Sequence, residues 1–419
     1  MVSVCRPAHA AGMCHVQVRG HLPAKARLHG GVVVVQGAGW RWRGVNIHVQ
    51  GFLGGIFRAM RSSHCGQTRS VGSQAAAAQT GMSLVGLMQS PILLTLQPMH
   101  DTQQTTTPPE EPAHAVPAYA PRRTARSTTL ALRTLPYHVL QWGTPQPGVP
   151  PLVMVHGWMD VGASYQFVVD ALTTDRWVVA PDWRGFGLTP SGGADSFWFP
   201  DYLADLDALL DLLSPDAPVD LVGHSMGGNV AMMYAGIRPE RIRTLVNLEG
   251  FGLPAAKPAQ APSRYALWMD ELKALRQGDK DLKTYPSQQA VAQRLQKTNP
   301  RLTADKALWL AGQWAAPDAQ GQWRILGEAG HKLVNPQLYR VEEVLAIYLR
   351  IAAPTLAVEA SHNQMAKWWQ NRYTLDEYHE RLKSVPNVRV EVINDAGHML
   401  HHDQPEAVAR LIEAHLPGN

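Results

Sequence analysis

From Leu130 to the C-terminus, short β-rich runs alternate with stretches of helical period, and this alternation limits the fold more than any other feature of the 419-residue chain. The runs are residues 138–142, 152–155, 177–180, 219–222, 244–248, 355–358 and 388–393. Between them, residues 201–213 place Leu203, Leu206, Leu210 and Leu213 at three- and four-residue steps, with Asp205, Asp207 and Asp211 off that stripe. That spacing predicts an amphipathic helix with an Asp start. Strands that alternate with helices predict an α/β fold, a mostly parallel sheet covered on both faces. No internal repeat interrupts the pattern.

Composition divides the chain before the pattern starts. Residues 1–100 contain no Asp or Glu, nine of the 38 Lys and Arg, and all three cysteines, Cys5, Cys14 and Cys65. The remainder sets 29 basic against 34 acidic residues. The formal charge of +4 therefore belongs to the leader, and the rest is mildly acidic, which argues against a nucleic-acid partner. The cysteines form no CxxC pair and build no disulfide framework. No run approaches 18 apolar residues, so no membrane span is expected. The acid-free start has the composition of a transit peptide, yet it is long and glycine-rich and lacks an amphipathic helix. It also lacks the parts of a secretory signal. Residues 1–125 are expected to be a disordered extension, or an over-extended start with the true initiator nearer Met82 or Met99. The expected setting is cytoplasmic. Neither GxxxxGK[ST] nor GxGxxG occurs, so no nucleotide cofactor is expected.

Chemistry concentrates at Gly223-His224-Ser225-Met226-Gly227, which follows an apolar strand and precedes a helix-like segment. In that context GxSxG describes a strained turn that lifts the Ser225 hydroxyl above the sheet edge. Gly223 and Gly227 remove Cβ atoms that would collide with the neighbouring strand and helix. The helix starting near Met226 aims its free N–H groups at any oxyanion formed there. A second donor is expected from the backbone of Trp158, in His156-Gly157-Trp158 directly after strand 152–155. A serine hydroxyl needs a base. Among 18 histidines, His398 stands out, in a loop just after the strand at 388–393. His401 and His402 offer a metal alternative with Asp403, but no HExxH is present and a serine elbow requires no metal, so none is expected. The acid that orients the histidine should lie between serine and histidine in the chain. Glu249 and Glu359 each close a buried strand, where an unpaired charge is costly, and spacing does not separate them.

Together, His156-Gly157-Trp158, Asp182-Trp183-Arg184-Gly185-Phe186-Gly187, 223–228 and Gly397-His398 resemble the α/β-hydrolase superfamily in order and spacing, over about two thirds of the chain. The resemblance implies an eight-stranded, mainly parallel sheet, Ser225 as nucleophile, His398 as base, and a helical cap inserted after strand 6. It implies a structural, non-catalytic loop at Asp182. Residues 126–252 and 350–419 would form the core and 253–349 the cap, whose Trp268, Trp309, Trp314 and Trp323 either line an acyl pocket or hold the cap together. His331 is expected at the surface or hydrogen-bonded. The family's usual acid after strand 7 would fall near Asn363, which is neutral. The segment 245–251 looks instead like the dehalogenase-like, serine-hydrolase-like branch with its acid after strand 6. That favours Glu249, with Glu359 as the alternative. The implied activity is hydrolysis of a carboxylic ester or thioester of a small, largely apolar substrate. Carbon–carbon bond hydrolysis, perhydrolase-like oxidoreduction and non-catalytic binding of a small molecule are the alternatives. Oligomeric state is left open.

Overall fold

The computed structural model describes residues 118–417 together with Ser3–Val4 and Val16–Gln17, and the chain divides into two compact units, Met1–Gln104 and Thr105–Asn419. In the first, Ser3–Val4 pairs antiparallel with Val16–Gln17. The expectation for the rest of the leader, up to residue 117, lies outside the described residues. The chain is already engaged with the second unit's fold at Tyr119, whose hydroxyl donates to Asp170 Oδ2 at 2.5 Å. The N–H groups of Arg122 and Arg123 donate to the same carboxylate.

The second unit is built on eight strands: β1 (Arg126–Leu132), β2 (Leu135–Trp142), β3 (Leu152–Val155), β4 (Val178–Pro181), β5 (Val219–His224), β6 (Ile242–Leu248), β7 (Thr355–Ala360) and β8 (Val388–Ile393). Their order across the sheet is β8-β7-β6-β5-β3-β4-β2-β1. All neighbours from β8 to β4 run parallel, and the β4–β2 and β2–β1 pairs are antiparallel. The β1–β2 hairpin extends the expected strand at 138–142 backwards and adds a strand where the alternation of apolar residues was too weak to register. Side chains alternate between two buried layers, as a two-residue period requires. Val153, Val155 and Leu221 enter one layer, and Leu152, Met154 and Val222 enter the other.

Helices cover both faces. The helices α1 (Gln166–Ala171), α2 (Phe199–Leu213) and α3 (Met226–Ile237) lie within the first part of the core. The helix predicted for 201–213 forms in α2, with Leu206 and Leu210 of the expected stripe fully buried and Leu203 and Leu213 partly so; Asp205, expected off the stripe, is buried instead, where it accepts from Tyr137 Oη and Arg184 Nε. After β6 the chain leaves the sheet for α4 (Ala261–Arg276), α5 (Gln288–Thr298) and α6 (Ala304–Trp314). A small antiparallel sheet joins Ala315–Pro317, Trp323–Ile325 and Thr284–Tyr285. Val291, Leu295, Leu302 and Leu310 give this insertion its own core, and Trp309, Trp314 and Trp323 pack against it. Trp268 donates to Ser196 Oγ and stacks edge-on against Trp198. The four tryptophans thus serve packing and anchoring. Helix α7 (Val341–Tyr348) then returns to the core and packs on α3. No helix among the described residues is long and apolar enough to cross a membrane.

The α3–α7 contact depends on Gly236, because a Cβ there would collide with the backbone oxygen of Ile347. Gly236→Ala should therefore lower stability by about 1–3 kcal/mol, the usual cost of overpacking. Urea unfolding measures it, and an unchanged midpoint would contradict this packing.

Candidate active site

Strand β5 ends at His224, and the next residue adopts φ 53 and ψ −114, a conformation rarely taken by residues with a Cβ. The turn is held by contacts on both sides. Ser225 N–H donates to Leu248 O on the adjacent strand at 2.8 Å. The backbone of Gly227 lies so close to the carbonyl oxygens of Val155 and His156 that no side chain fits there. A Cβ on Gly223 would likewise strike the Gly227 carbonyl. The strain is thereby over-determined by backbone packing.

One strand over, β6 ends in a second strained turn. Asn247 Oδ1 accepts from Gly250 N at 3.0 Å, and Asn247 Nδ2 donates to Gly250 O at 3.0 Å. This clamp sets Glu249 at φ 56 and directs its side chain inward. Glu249 Oε1 accepts from Ala360 N at 2.7 Å, and Oε2 lies 3.0 Å from His398 Nδ1. His398 Nε2 is 2.9 Å from Ser225 Oγ. When Glu249 is ionised and faces Nδ1, the proton sits there and Nε2 is free to accept from serine. The histidine loop is itself fastened. His224 Nε2 donates to His398 O at 2.8 Å, and Gly397 N donates to Asp403 Oδ2 at 2.7 Å. Trp368 meets the His398 ring edge-on, with centroids 4.4 Å apart.

The structure brings Ser225, His398 and Glu249 into one hydrogen-bonded row and takes Glu359 elsewhere. Glu359 bonds His379 Nε2 at 2.6 Å. The loop 156–158 closes the other side. A Cβ on Gly157 would lie 3.1 Å from Ser225 Cβ, so this backbone runs beside the serine. His156 locks the loop by donating from Nδ1 to Gly157 O and accepting at Nε2 from Trp183 N. Among the described residues, neither Trp158 N nor Met226 N has a hydrogen-bond acceptor. Asp182 accepts from Gly162 N, Leu188 N and His138 Nδ1 and stands away from the row, a structural anchor.

Several supports were illegible in the sequence. His331 is buried between Phe186 and Phe197, with ring centroids 3.7 and 3.6 Å away. Of its two expectations, the surface placement fails and the hydrogen-bonded one holds: Nε2 faces Gly185 O at 3.2 Å and Nδ1 faces Tyr202 Oη at 3.3 Å. Its carbonyl accepts from Trp158 Nε1 at 3.1 Å. Asp403, offered as a metal partner of His401 and His402, is engaged instead with Gly397 N and Asn299 Nδ2. Asp160 stands beside the two histidines. No spacing rule joins Asp160 to residues some 240 positions away.

Burial governs the charges. It lowers the His398 imidazole to about 4 and raises the Glu249 carboxyl to about 8, opposed by the Ala360 N–H. The two share one hydrogen bond and titrate as a pair whose burial disfavours both charged forms. Burial also pushes His224 and His331 down to about 3.

This arrangement, with its strand order and strained serine turn, defines an α/β-hydrolase. A sequence profile for the alpha/beta hydrolase fold matches residues 150–405. The chain belongs to that family. It is 26% identical over 276 residues to a serine hydrolase-like protein of Danio rerio, covering 65% of this chain and 82% of that one. It is 24% identical over 280 residues to a putative carbamate hydrolase, RutD, of Stutzerimonas stutzeri, covering 65% and 94%. Among solved structures, the thioesterase domain from the curacin biosynthetic pathway superposes with a TM-score of 0.60 at 23% identity, covering 69% of this chain and 99% of that one.

The buried neutral histidines predict acid sensitivity. An unfolded chain takes up protons on them near pH 6.5, whereas the folded state resists down to about 3 at His224 and His331. Stability is therefore present above pH 6.5 and lost as pH falls below it, by about 1.4 kcal/mol per pH unit for each such histidine. Unfolding free energy should be lower at pH 5.0 than at pH 7.5, the loss on the histidines being partly offset by Glu249, which in the folded state takes up its proton near pH 8. Equal values would contradict neutral burial.

Proposed function

We propose that the chain is a serine hydrolase that cleaves a carboxylic ester or thioester of a small, largely apolar substrate through an acyl-enzyme. The observation that carries this reading is the continuous row Ser225 Oγ–His398 Nε2, 2.9 Å, and His398 Nδ1–Glu249 Oε2, 3.0 Å. Ser225 attacks the carbonyl carbon while its proton passes to His398 Nε2. Glu249, nearly dry at 2% exposure, stabilises the imidazolium that forms. The tetrahedral oxygen receives hydrogen bonds from the N–H groups of Trp158 and Met226, which need no reorganisation to meet it. Collapse expels the alcohol or thiol, which takes the proton from His398. Water then gives a proton to the same nitrogen as it attacks the acyl carbon, and the acid leaves with Ser225 restored.

The exposed Trp368 lies against the His398 ring and Trp158 follows the glycine that runs beside Ser225; these two exposed indoles support a reading in which the acyl group is apolar rather than charged. This triad requires no metal or organic cofactor for any step.

The test is intact mass of the full chain after treatment with a fluorophosphonate. One adduct on Ser225, absent in Ser225→Ala and His398→Ala, is expected; a folded wild type that stays unlabelled would overturn the mechanism. Glu249→Gln should lower kcat for a p-nitrophenyl ester by about 10⁴-fold, as loss of the orienting carboxylate does elsewhere. Glu359→Gln should change it far less, because that carboxylate meets His379 and not His398. The reverse ranking would assign the acid to Glu359.

A further inference from the structure

Beneath the serine–histidine row lies a second, unused group of ionisable side chains. Asp160 and His401 are 3% and 0% exposed, and His402 is 4% exposed. One ligand atom from each falls within 4.8 Å of the other two. Among the described residues, Asp160 Oδ2, both ring nitrogens of His401 and His402 Nε2 have no hydrogen-bond partner. Such atoms in a dry interior are costly if nothing meets them.

The surroundings say what would meet them. Asp160 Oδ1 is fully committed: it accepts from Val161 N at 2.9 Å, from Trp314 Nε1 at 3.0 Å and from the Ser164 hydroxyl. These bonds fix the carboxylate and turn Oδ2 toward His401 Nε2, 3.8 Å away. That gap is too long for a hydrogen bond, so a proton alone does not join the pair. Both imidazoles are buried, and a neutral imidazole keeps a lone pair on one ring nitrogen. Two neutral imidazoles and one oriented carboxylate form a donor set for a borderline divalent cation. Bringing the three atoms onto one ion needs the longest separation to close by no more than about 1.5 Å, because donors roughly 2.0–2.2 Å from a tetrahedral zinc lie about 3.3 Å apart.

We propose that Asp160, His401 and His402 form a binding site for one divalent transition-metal ion, zinc by preference, that acts as a structural staple under the reactive centre. The ion joins two loops with opposite duties. Asp160 lies two residues beyond Trp158, and His401 lies three beyond His398. His224 fills the space between, its ring 4.2 Å from His401 and 4.8 Å from His398. The staple therefore fixes the spacing between the loop beside the serine and the loop that carries the histidine, without touching a substrate. Trp314 adds an outer support from the cap through its bond to Asp160.

The test uses the full, untagged chain stripped with a chelator and titrated with Zn(II) and with Co(II) as a spectroscopic stand-in. Other histidines and cysteines in the chain can bind metal, so the readout is a difference. Wild type should bind one equivalent more than Asp160→Asn, His401→Gln or His402→Gln, and only wild type should show the corresponding visible Co(II) band. Zn(II), and not Mg(II), should raise the wild-type Tm, and the shift should vanish in the variants. Trp314→Phe, which removes only an outer support, should weaken binding about 10- to 100-fold. X-ray absorption of the one-equivalent wild-type Zn(II) complex should show two imidazoles at about 2.0 Å and no sulfur. This measurement stands even if every variant misfolds. Equal stoichiometry in wild type and folded variants, or a sulfur-bound ion in wild type, would overturn the site. Fluorophosphonate labelling of the metal-free protein separates failure of this proposal from failure of the hydrolase reading.

Discussion

The backbone contact between the turn after β5 and the end of β3 is the constraint on which the rest of the site depends. Gly227 lies against the carbonyls of Val155 and His156, and that closeness forces Ser225 into its positive-φ conformation. A strained residue persists only where its neighbours over-determine it. Here the neighbours are main-chain atoms of two parallel strands, whose spacing hydrogen bonds already set. The same contact places the 156–158 loop beside the serine and starts α3 directly beneath it.

Glu249 is held by a different device with the same logic. Asn247 uses both ends of its amide to close a turn on Gly250, and Glu249 is carried into a second positive-φ position. Two neighbouring parallel strands thus end in two strained turns, and the side chains they present converge on one imidazole. Rigid strands, rather than loops, supply the precision that a hydrogen-bonded row of this kind requires.

Much of this was legible in the sequence because it is local. Seven of the eight strands announced themselves as short apolar runs, and GxSxG after a strand fixes a conformation by sterics alone. The first strand was missed because Arg126–Leu132 is partly exposed and lies at the sheet edge, where no strong apolar period is needed. The small sheet in the insertion leaves no mark in the sequence because strands of two or three residues carry no period. The choice between Glu249 and Glu359 could not come from spacing, since both close a buried strand. Only the side-chain geometry distinguishes them: one meets His398 and the other His379. The cluster of Asp160 with His401 and His402 was invisible for the same reason, being a meeting of residues far apart in the chain.

The sandwiched His331 gives the insertion after β6 a mechanical hold on the core. Its ring is wedged between two core-side phenylalanines, and its carbonyl takes the indole N–H of Trp158. The residue whose backbone lies beside the serine is therefore tethered by its side chain to the segment inserted between β6 and β7. Any displacement of that segment at His331 breaks this hydrogen bond or pulls on Trp158, so the position of the insertion and the placement of the 156–158 loop are coupled through one contact.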